Sequence, residues 1–289
     1  MSESFKRTCF DDDAYKIHIT QGIPAVDALS VQMHYDPDPI IEFFKEGQGM
    51  VNIEGKGYPF RAGDVIYITP SELHTTHFAE GVPIHRVSIH LNRKLLEPFE
   101  CDADVFFGFI EKKKKGLGNV IGAEIVKEHG IDEIIDTLEK YVSCPEPKYH
   151  VLVQCKAIEL LHAMSGAVHV NTTEDTQPYL ESDLINRILQ HINNHYTENI
   201  TLSTIADHFF HSKYHICTAF KKYVGVTVTE YINIRRIHFV NDQIRSGHSI
   251  HEACFEAGFH NYSNFYRIYT KHMGLTPQQF KSNQKTTDK

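Results

Sequence analysis

The sequence predicts an α+β fold, in which a β-barrel with flanking helices is followed by an all-helical domain. Three observations carry this prediction. The chain has 289 residues, which is enough for two domains. Short β-forming runs separated by turn residues fill positions 15–91. One helical passage occurs twice between residues 202 and 281, so we expect the helical domain at the C-terminal end.

Seven short runs of β-forming residues make up the predicted barrel. They span residues 15–20, 29–34, 40–44, 49–53, 58–60, 64–69 and 85–91. Glycine, proline and aspartate between them supply turns. Strands this short and this closely spaced are typical of a small sandwich or barrel. The first 13 residues are polar and acidic, so we expect no signal peptide.

Two amphipathic helices are predicted after the barrel. Residues 131–142 carry apolar side chains every three or four positions, and residues 149–164 repeat this pattern. Residues 166–181 are rich in threonine, asparagine and acidic residues and have no apolar period, which predicts a linker. We therefore place one domain at residues 1–165 and a second at residues 182–283.

The repeated passage predicts two copies of a helix, a tight turn and a second helix. Ser212 recurs as Asn261 and Phe220 recurs as Tyr269, in each case 49 positions later. The four helices span residues 202–209, 212–223, 250–257 and 262–272. A long helix at residues 227–246 joins the copies. A helix-turn-helix of this kind can place its second helix in the major groove of DNA.

Many spaced positions in the helical domain fit one known pattern. They are Ile205, Ala206, Ser212, Phe220, Lys221, Gly225, Tyr231, Ile232, Arg235, Arg236, Ile237, Ser249, Ile250, Ala257, Gly258, Phe259, Ser263, Phe265, Arg267 and residues 274–277. Together they resemble the DNA-binding domain of the AraC/XylS transcription regulators, over about a third of the chain. The repeat alone also fits a plain helical bundle, or a helical interaction module with no role on DNA.

The β-rich domain has a looser likeness to the sensor half of the same regulators. Gly47, Gly49, the pair 63–64, Pro70 and His74 are similar to the cupin-like barrel of that half. The interior of a small barrel is a common site for small ligands. The candidate effector-binding residues are the polar and aromatic groups on the strands, namely His34, Arg61, Tyr67, His74, His77 and Arg86.

The metal cluster of the enzymatic cupins is only partly present. Those enzymes hold their metal through a His-x-His…Glu cluster and a later histidine. His34 and His74 stand at suitable places, but Asp36 replaces a histidine and Ile40 stands where the glutamate belongs. We therefore expect no metal, no other cofactor, no catalytic residue and no enzyme activity. The alternative is a metal-dependent cupin enzyme fused to a DNA-binding module, because carboxylate and imidazole together can bind a divalent ion.

The charge distribution fits an acidic sensor joined to a mildly basic DNA-binding domain. The whole chain has a net charge of −8, but residues 181–289 carry +3 and residues 1–180 carry −11. The candidate DNA-binding residues are Lys213, Tyr214, Cys217, Thr218, Lys221, Lys222, Tyr262, Ser263, Tyr266, Arg267 and Lys271. We expect Arg267 to read guanine and Thr218 to select less, whereas the lysines contact phosphate.

The remaining expectations concern location and partners. The six cysteines lack CxxC spacing, so we expect reduced thiols in a cytoplasmic protein. No apolar run reaches about 18 residues, so we expect no membrane span. The resemblance implies double-stranded DNA and an unidentified small-molecule effector as ligands. It also implies a homodimer paired through the helices at 131–164, RNA polymerase as a partner, and a role as an activator.

Overall fold

The computed structural model has two compact units, Met1–Leu180 and Glu181–Lys289. We call them the N-terminal and the C-terminal unit and describe each by itself. The structure describes residues 6–25, 33–36, 38–70, 72–111, 113–144, 146, 148–171 and 183–287.

The N-terminal unit is built on two antiparallel sheets. Its strands are β1 (Lys6–Asp11), β2 (Tyr15–Gly22), β3 (Ile40–Glu46), β4 (Gln48–Ile53), β5 (Lys56–Arg61), β6 (Val65–Ile68), β7 (His74–Phe78), β8 (Ile84–Leu91) and β9 (Val120–Ile121). Six strands form one sheet in the order β1-β2-β8-β3-β6-β9, and three form a second in the order β5-β4-β7. The mixed α+β class with a cupin-like N-terminal barrel is thereby confirmed.

An apolar core fills part of the space between the two sheets. Its members from the two sheets are Ile40, Phe44, Val51, Ile53, Tyr58, Phe60, Ile66, Ile68, Phe78, Ile84 and Val120. Successive strand residues point to opposite faces, so β3 contributes Ile40 and Phe44 to this core while Ile41 and Phe43 face away from it. We call the side of each sheet that bears this core the inner face.

In the part of this unit that the structure describes, four α-helices cover the other face of the larger sheet. They are α1 (Ala103–Glu111), α2 (Ala123–Glu128), α3 (Ile131–Val142) and α4 (Lys148–Asn171). Helix α3 begins and ends at the residues that the apolar periodicity of the sequence predicts. Ile135 of α3 and Leu161 of α4 are fully buried in the core beneath the helices. These two apolar stripes therefore cover the sheet rather than form a free surface.

The last long helix of this unit extends into the segment that was predicted as a linker, so the start of that linker is wrong. α4 runs to Asn171, so residues 166–171 are helical, because Ala167 and Val168 continue the buried stripe. The rest of the predicted linker, residues 172–181, lies outside the described residues. The segment Lys148–His169 is long and apolar enough to cross a membrane, although 39% of its most apolar window is buried within the protein. A core helix passes the same test.

Several elements of the N-terminal unit were not predicted. β1 is an edge strand with mostly exposed residues, and β7 reads His-Thr-Thr-His-Phe, so neither has an apolar alternation. The short α1, α2 and β9 were missed as well. The run predicted at residues 29–34 lies almost entirely outside the described residues, but His34 forms an isolated bridge with His74.

Seven helices form the described part of the C-terminal unit. They are α5 (Asp183–His195), α6 (Leu202–His208), α7 (Lys213–Val224), α8 (Val228–Arg245), α9 (Ile250–Glu256), α10 (Tyr262–Met273) and α11 (Pro277–Thr287). The two helix-turn-helix motifs are α6–α7 and α9–α10, and α8 joins them. The all-helical C-terminal domain is thus confirmed, with α11 as an additional helix beyond the prediction.

The helix ends reproduce the sequence repeat. Ser212 accepts a hydrogen bond from the third residue of α7, and Asn261 does the same for α10. Both helices end at a glycine with positive φ, Gly225 at 82° and Gly274 at 69°. Glycine carries no Cβ and adopts this conformation without strain. Equivalent caps therefore fix the same start and end for both second helices.

The turns of the two motifs differ by one residue. Phe210 at φ 56° and Gly258 at φ 87° occupy the same left-handed position after the first helix. In each motif the N–H of the next residue bonds to the carbonyl five residues earlier, from His211 to Ala206 and from Phe259 to Cys254. The second turn then has one more residue before its cap. Because of this insertion, Phe210 and Gly258 are 48 positions apart, whereas the caps Ser212 and Asn261 are 49 positions apart.

Candidate nucleic-acid interface and effector site

The two second helices each have one buried and one exposed side. Ile216, Phe220, Phe265 and Tyr269 are fully buried. The hydroxyl of Tyr269 donates to the side-chain oxygen of Asn241 in α8 at 2.5 Å. These contacts hold α10 against the central helix and leave its opposite side free to approach a partner.

The candidate DNA-binding residues lie on the sides that are not packed. Lys213, Tyr214, Thr218, Lys221, Ser263, Tyr266, Arg267 and Lys271 are exposed, and Cys217 and Tyr262 are half-buried. The side chain of Lys222 lies outside the described residues. Tyr214 is 83% exposed, which is unusual for a large aromatic side chain with no partner surface. The structure therefore brings the described candidates together on two helix faces.

Arg267 has a defined neighbour on its own helix. Its guanidinium donates to the side-chain oxygen of Asn264 at 3.0 Å, and both residues are exposed. Arginine offers several N–H donors in a planar fork, so this bond leaves others for an approaching base. The contact holds the guanidinium beside the N-terminal turn of α10, where recognition helices meet base edges.

All charged side chains of α7 and α10 are basic. α7 and α10 contain no acidic residue, but α7 carries three lysines and α10 carries Arg267 and Lys271. Glu230, at the start of α8, has a lowered pKa because the Thr227 amide and hydroxyl bond to it, and Lys271 and Lys221 add to the effect. The C-terminal ends of α7 and α10 therefore place positive charge near the same carboxylate.

Arg236 has a structural role in this unit. It is 9% exposed and donates to the carbonyls of Tyr196 at 2.7 Å and Glu198 at 2.8 Å. Its guanidinium also lies over an aromatic ring, with Cζ 5.6 Å from the ring centroid of Phe259. It thus joins the loop before α6 to the turn of the second motif and is turned away from the exposed helix faces.

In the N-terminal unit, one side of the inner face is polar. The inward side chains here are His18 and Thr20 of β2, Glu42 of β3, and Arg86, Ser88 and His90 of β8. Residues directly opposite each other on paired strands share a face, and the partners of Arg86 are Thr20 and the core residue Phe44. We call this set the polar inner face.

Arg86 is the central group of the polar inner face. Its Nη1 lies 3.0 Å from Oε1 of Glu42, and its Cζ lies 5.5 Å from the ring centroid of Phe78 in the opposite sheet. Among the described residues, Thr20 Oγ1, Glu42 Oε2 and Arg86 Nε are buried without a hydrogen-bond partner. A buried polar atom left in this state costs about 1–3 kcal/mol, so the site is suited to a polar ligand.

The candidate effector residues do not all join this face. His34, His74 and Arg86 lie on it or beside it. Arg61 is exposed at the end of β5, because Tyr58 and Phe60 take the inward positions of that strand. Tyr67 is buried beneath the helices on the other side of its sheet, and His77 alternates with the inward His74, Thr76 and Phe78 and so faces outward. These three placements correct the prediction of a common pocket.

Sequence reasoning also missed several groups of the site. Thr20, Glu42, Ser88 and His90 were not among the candidates, whereas Asp36 was considered only as a possible metal ligand. A signal for two of them was present, because Arg86, Ser88 and His90 stand two residues apart in one strand and must share a face. Glu42 lies in a run of apolar residues, where a buried carboxylate is not expected.

A histidine–aspartate cluster lies next to the polar inner face. Oδ2 of Asp36 is 3.3 Å from Nε2 of His34 and 3.7 Å from Nε2 of His74, and its Oδ1 is 3.8 Å from Nδ1 of His90. Burial and the nearby His34 lower the pKa of His74 to about 3, and burial raises the pKa of Asp36. His74 is therefore neutral at physiological pH and has a lone pair that can bind a cation.

Two family models match the chain, one in each unit. A model described as a helix-turn-helix domain matches residues 205–283. A model described as an AraC-like ligand binding domain matches residues 27–102. The matched ranges contain both helix-turn-helix motifs except the start of α6, and all of β3–β8.

Curated relatives are regulators of transcription. The uncharacterized HTH-type transcriptional regulator YbfI of Bacillus subtilis is 22% identical over 80% of this chain and 80% of that protein. The probable transcription factor PqrA of Proteus vulgaris is 33% identical over 30% of this chain and 71% of its own length. The bifunctional transcriptional activator/DNA repair enzyme AdaA of Bacillus subtilis is 31% identical, over 35% of this chain and 48% of that protein.

Among solved structures, ToxT of Vibrio cholerae with a bound unsaturated fatty acid is similar over most of the chain. It is 15% identical, with a TM-score of 0.39, and the match covers 94% of this chain and 96% of that chain. From the two matching models and the curated relatives, the chain belongs to the AraC/XylS family of transcription regulators, with an N-terminal ligand-binding domain and a C-terminal DNA-binding helix-turn-helix domain.

Proposed function

We propose that a small effector binds on the polar inner face of the N-terminal unit and thereby activates transcription from promoters bound by the C-terminal unit. One observation carries the effector site: Thr20, Glu42 and Arg86 hold buried polar atoms without partners on the polar inner face, next to the apolar core that fills the other part of the space between the sheets. The effector therefore has hydrogen-bonding groups that meet these atoms. Activation, rather than repression, rests on the family resemblance.

The two recognition helices contribute unequally to the selection of bases. In this proposal Arg267 makes two hydrogen bonds to one guanine, worth about 1–3 kcal/mol of discrimination. Thr218 stands at the matching place in α7 and can donate one bond or touch a thymine methyl, which selects less. Lys213, Lys221 and Lys271 contact phosphates and give affinity without sequence choice.

The two domains have separate roles, and the protein has partners besides the effector and DNA. Residues 1–165 sense the effector, and residues 182–283 bind DNA. The protein acts in the cytoplasm without catalysis and contacts RNA polymerase, as the resemblance implies. It forms a homodimer through α4, whose outward side exposes Val151 by 61% and Leu152 by 38%. Exposed apolar side chains that lie together on one helix are suited to pairing with a second copy.

The effector site is tested by thermal unfolding of the full chain against a library of polar metabolites. A ligand of the native state raises the melting temperature by mass action. The comparison uses Arg86→Gln, which removes the central cation of the polar inner face, and Arg61→Gln as the control at an exposed arginine. We expect a metabolite that stabilises the wild type and Arg61→Gln but not Arg86→Gln. Equal stabilisation of all three proteins would place the effector elsewhere.

A further inference from the structure

Two imidazoles and one carboxylate converge where the segment 33–36 meets β7. His34 and His74 exchange both backbone hydrogen bonds, at 3.0 and 2.9 Å, so their side chains are fixed next to each other. Their ring centroids are 4.3 Å apart. One ligand atom from each of His34, Asp36 and His74 lies within 4.8 Å of the other two.

The spacing of these atoms is close to that around a bound metal ion. With metal–ligand bonds of about 2.0–2.2 Å, neighbouring ligand atoms of a tetrahedral ion lie roughly 3.3–3.6 Å apart. Asp36 Oδ2 is 3.3 Å from Nε2 of His34 and 3.7 Å from Nε2 of His74. Small side-chain adjustments therefore suffice to bring all three atoms onto one ion.

The surroundings of His74 orient it as a ligand. Its Nδ1 lies 2.9 Å from the backbone carbonyl of Glu72, to which it donates its proton, so the lone pair is on Nε2 and points at Asp36. This is the outer hydrogen bond that histidine ligands of metals commonly make. The carboxylate of Glu72 is itself fixed by Lys113 at 2.7 Å and Asn119 at 2.9 Å, which keeps this loop in place.

We propose that His34, Asp36 and His74 bind one divalent first-row transition-metal ion and leave a coordination position open. Two imidazoles and one carboxylate form a donor set that suits zinc and iron better than magnesium or calcium. This conclusion departs from the sequence-based expectation of no metal, because Asp36 takes the place that a histidine occupies in the enzymatic cupins.

The open position lies beside the polar inner face. His90 Nδ1 is 3.8 Å from Asp36 Oδ1, and His90 Nε2 is 3.4 Å from the hydroxyl of Ser88. A fourth ligand therefore comes either from His90 or from an effector on this face. The ion links the segment 33–36 to β7 and contributes to regulation by binding, and no reaction is assigned to it.

Metal binding is tested with the full-length chain after treatment with a chelator. Equilibrium dialysis measures the zinc bound per chain, and cobalt(II) supplies a visible absorption that reports imidazole and carboxylate coordination. His34→Gln and Asp36→Asn each remove a ligand at a half-buried position, and His77→Gln is the control on the outer face of β7. Circular dichroism and DNA binding show whether each variant is folded.

We expect one tightly bound zinc ion per chain in the wild type and in His77→Gln. In His34→Gln and in Asp36→Asn, the affinity of that ion falls by at least about a hundredfold. The absence of a tight ion in the wild type would overturn the proposal, as would an ion that both ligand variants retain, since ten histidines of the C-terminal unit offer other sites. Neither result would bear on DNA binding, which the same samples measure separately.

Discussion

Arg267 donates a guanidinium hydrogen bond to the side chain of Asn264, one turn earlier on α10, over a distance of 3.0 Å. The matching position in α7 is Thr218, which is exposed and has a single hydroxyl. The two recognition helices thus share their caps and their buried residues but differ in the group that faces outward. An oriented arginine discriminates bases more strongly than a threonine does.

The first prediction is that Arg267 selects a base and Lys221 does not. Arg267→Ala should lose about 1–3 kcal/mol of discrimination at one guanine-containing position. Lys221→Ala should weaken binding to all duplexes alike and reduce the salt slope by about one. Both effects are measured by titrating single-base variants of a bound duplex at fixed salt, and then over a salt series.

Two further variants serve as controls for this comparison. Thr218→Ala should cost less discrimination than Arg267→Ala. Asn264→Ala frees the guanidinium without removing it, so its loss should also be smaller. A uniform fall in affinity of Arg267→Ala, with every base preference intact, would make Arg267 a phosphate contact or a structural residue.

The second prediction concerns the strained turn of the first motif. Phe210 has φ 56° and is 94% exposed, so its side chain makes little contact that offsets the strain. A left-handed conformation costs a residue with Cβ roughly 1–2 kcal/mol, and substitution by glycine removes this strain. About half of the stabilisation is offset, because glycine loses more conformational entropy on folding. Phe210→Gly should therefore leave the free energy of unfolding unchanged or raise it by up to about 1 kcal/mol.

The control for this prediction is the matching residue of the second motif. Gly258 has φ 87°, and a Cβ there would lie 2.4 Å from the carbonyl oxygen of Thr197. Gly258→Ala should cost at least about 2 kcal/mol. Calorimetry of the full chain measures both variants. If Phe210→Gly is destabilised as strongly as Gly258→Ala, the Phe210 side chain has a packing role that its exposure does not reveal.

The third prediction is a pH dependence of the N-terminal unit. Glu139 of α3 accepts from Lys45 at 2.5 Å and from His85 at 2.8 Å, which joins the helix to β3 and β8. Burial acts to raise the pKa of Glu139, but the bonds from His85 and Lys45 outweigh it and lower the pKa to about 2. A carboxyl whose pKa falls on folding stabilises the native state above its unfolded pKa.

This stabilisation is fully present above about pH 5 and is lost as the pH falls toward 2. Glu139→Gln should lower the free energy of unfolding at neutral pH by about 1–2 kcal/mol, because solvent screens part of the interaction of this partly buried group. The difference from the wild type should shrink as the pH is lowered through 4. Urea unfolding at several pH values measures it, and a difference that stays constant across this range would contradict the assigned pKa.

The fourth prediction separates the dimer surface from the core. Leu152→Glu places a charge on the outward side of α4 and should shift a dimer toward monomer in analytical ultracentrifugation without unfolding the chain. Ile135→Glu buries a charge beneath the helices and should instead destabilise the N-terminal unit. A Leu152→Glu protein that sediments like the wild type would exclude this side of α4 from the interface.

Apolar periodicity predicted the parts of the fold that depend on it. The helix at Ile131–Val142 and both recognition helices were placed within a residue or two, because their buried stripes, caps and terminal glycines are all local in sequence. The polar strand β7 was missed, because His74, Thr75 and Thr76 are buried by contacts distant in the chain. Local patterns therefore predicted the C-terminal unit better than the barrel.

The effector site was predicted less well for a similar reason. Arg61 and His77 were chosen by residue type, but strand alternation turns both outward. His90 lies far from His34 and Asp36 in sequence, and the sequence alone gives no sign that its side chain lies near them. Tertiary pairing, rather than any motif, assembles this site.

We propose that this single chain reads DNA with two helices, α7 and α10. The most direct measurement is selection of bound duplexes from a random pool by the full-length protein, followed by sequencing. We expect an enriched site with two blocks separated by about 10 base pairs, one helical turn of B-DNA, in which the block read by Arg267 contains the stronger guanine preference. A pool without enrichment, or a single short block that Arg267→Ala leaves unchanged, would contradict this account.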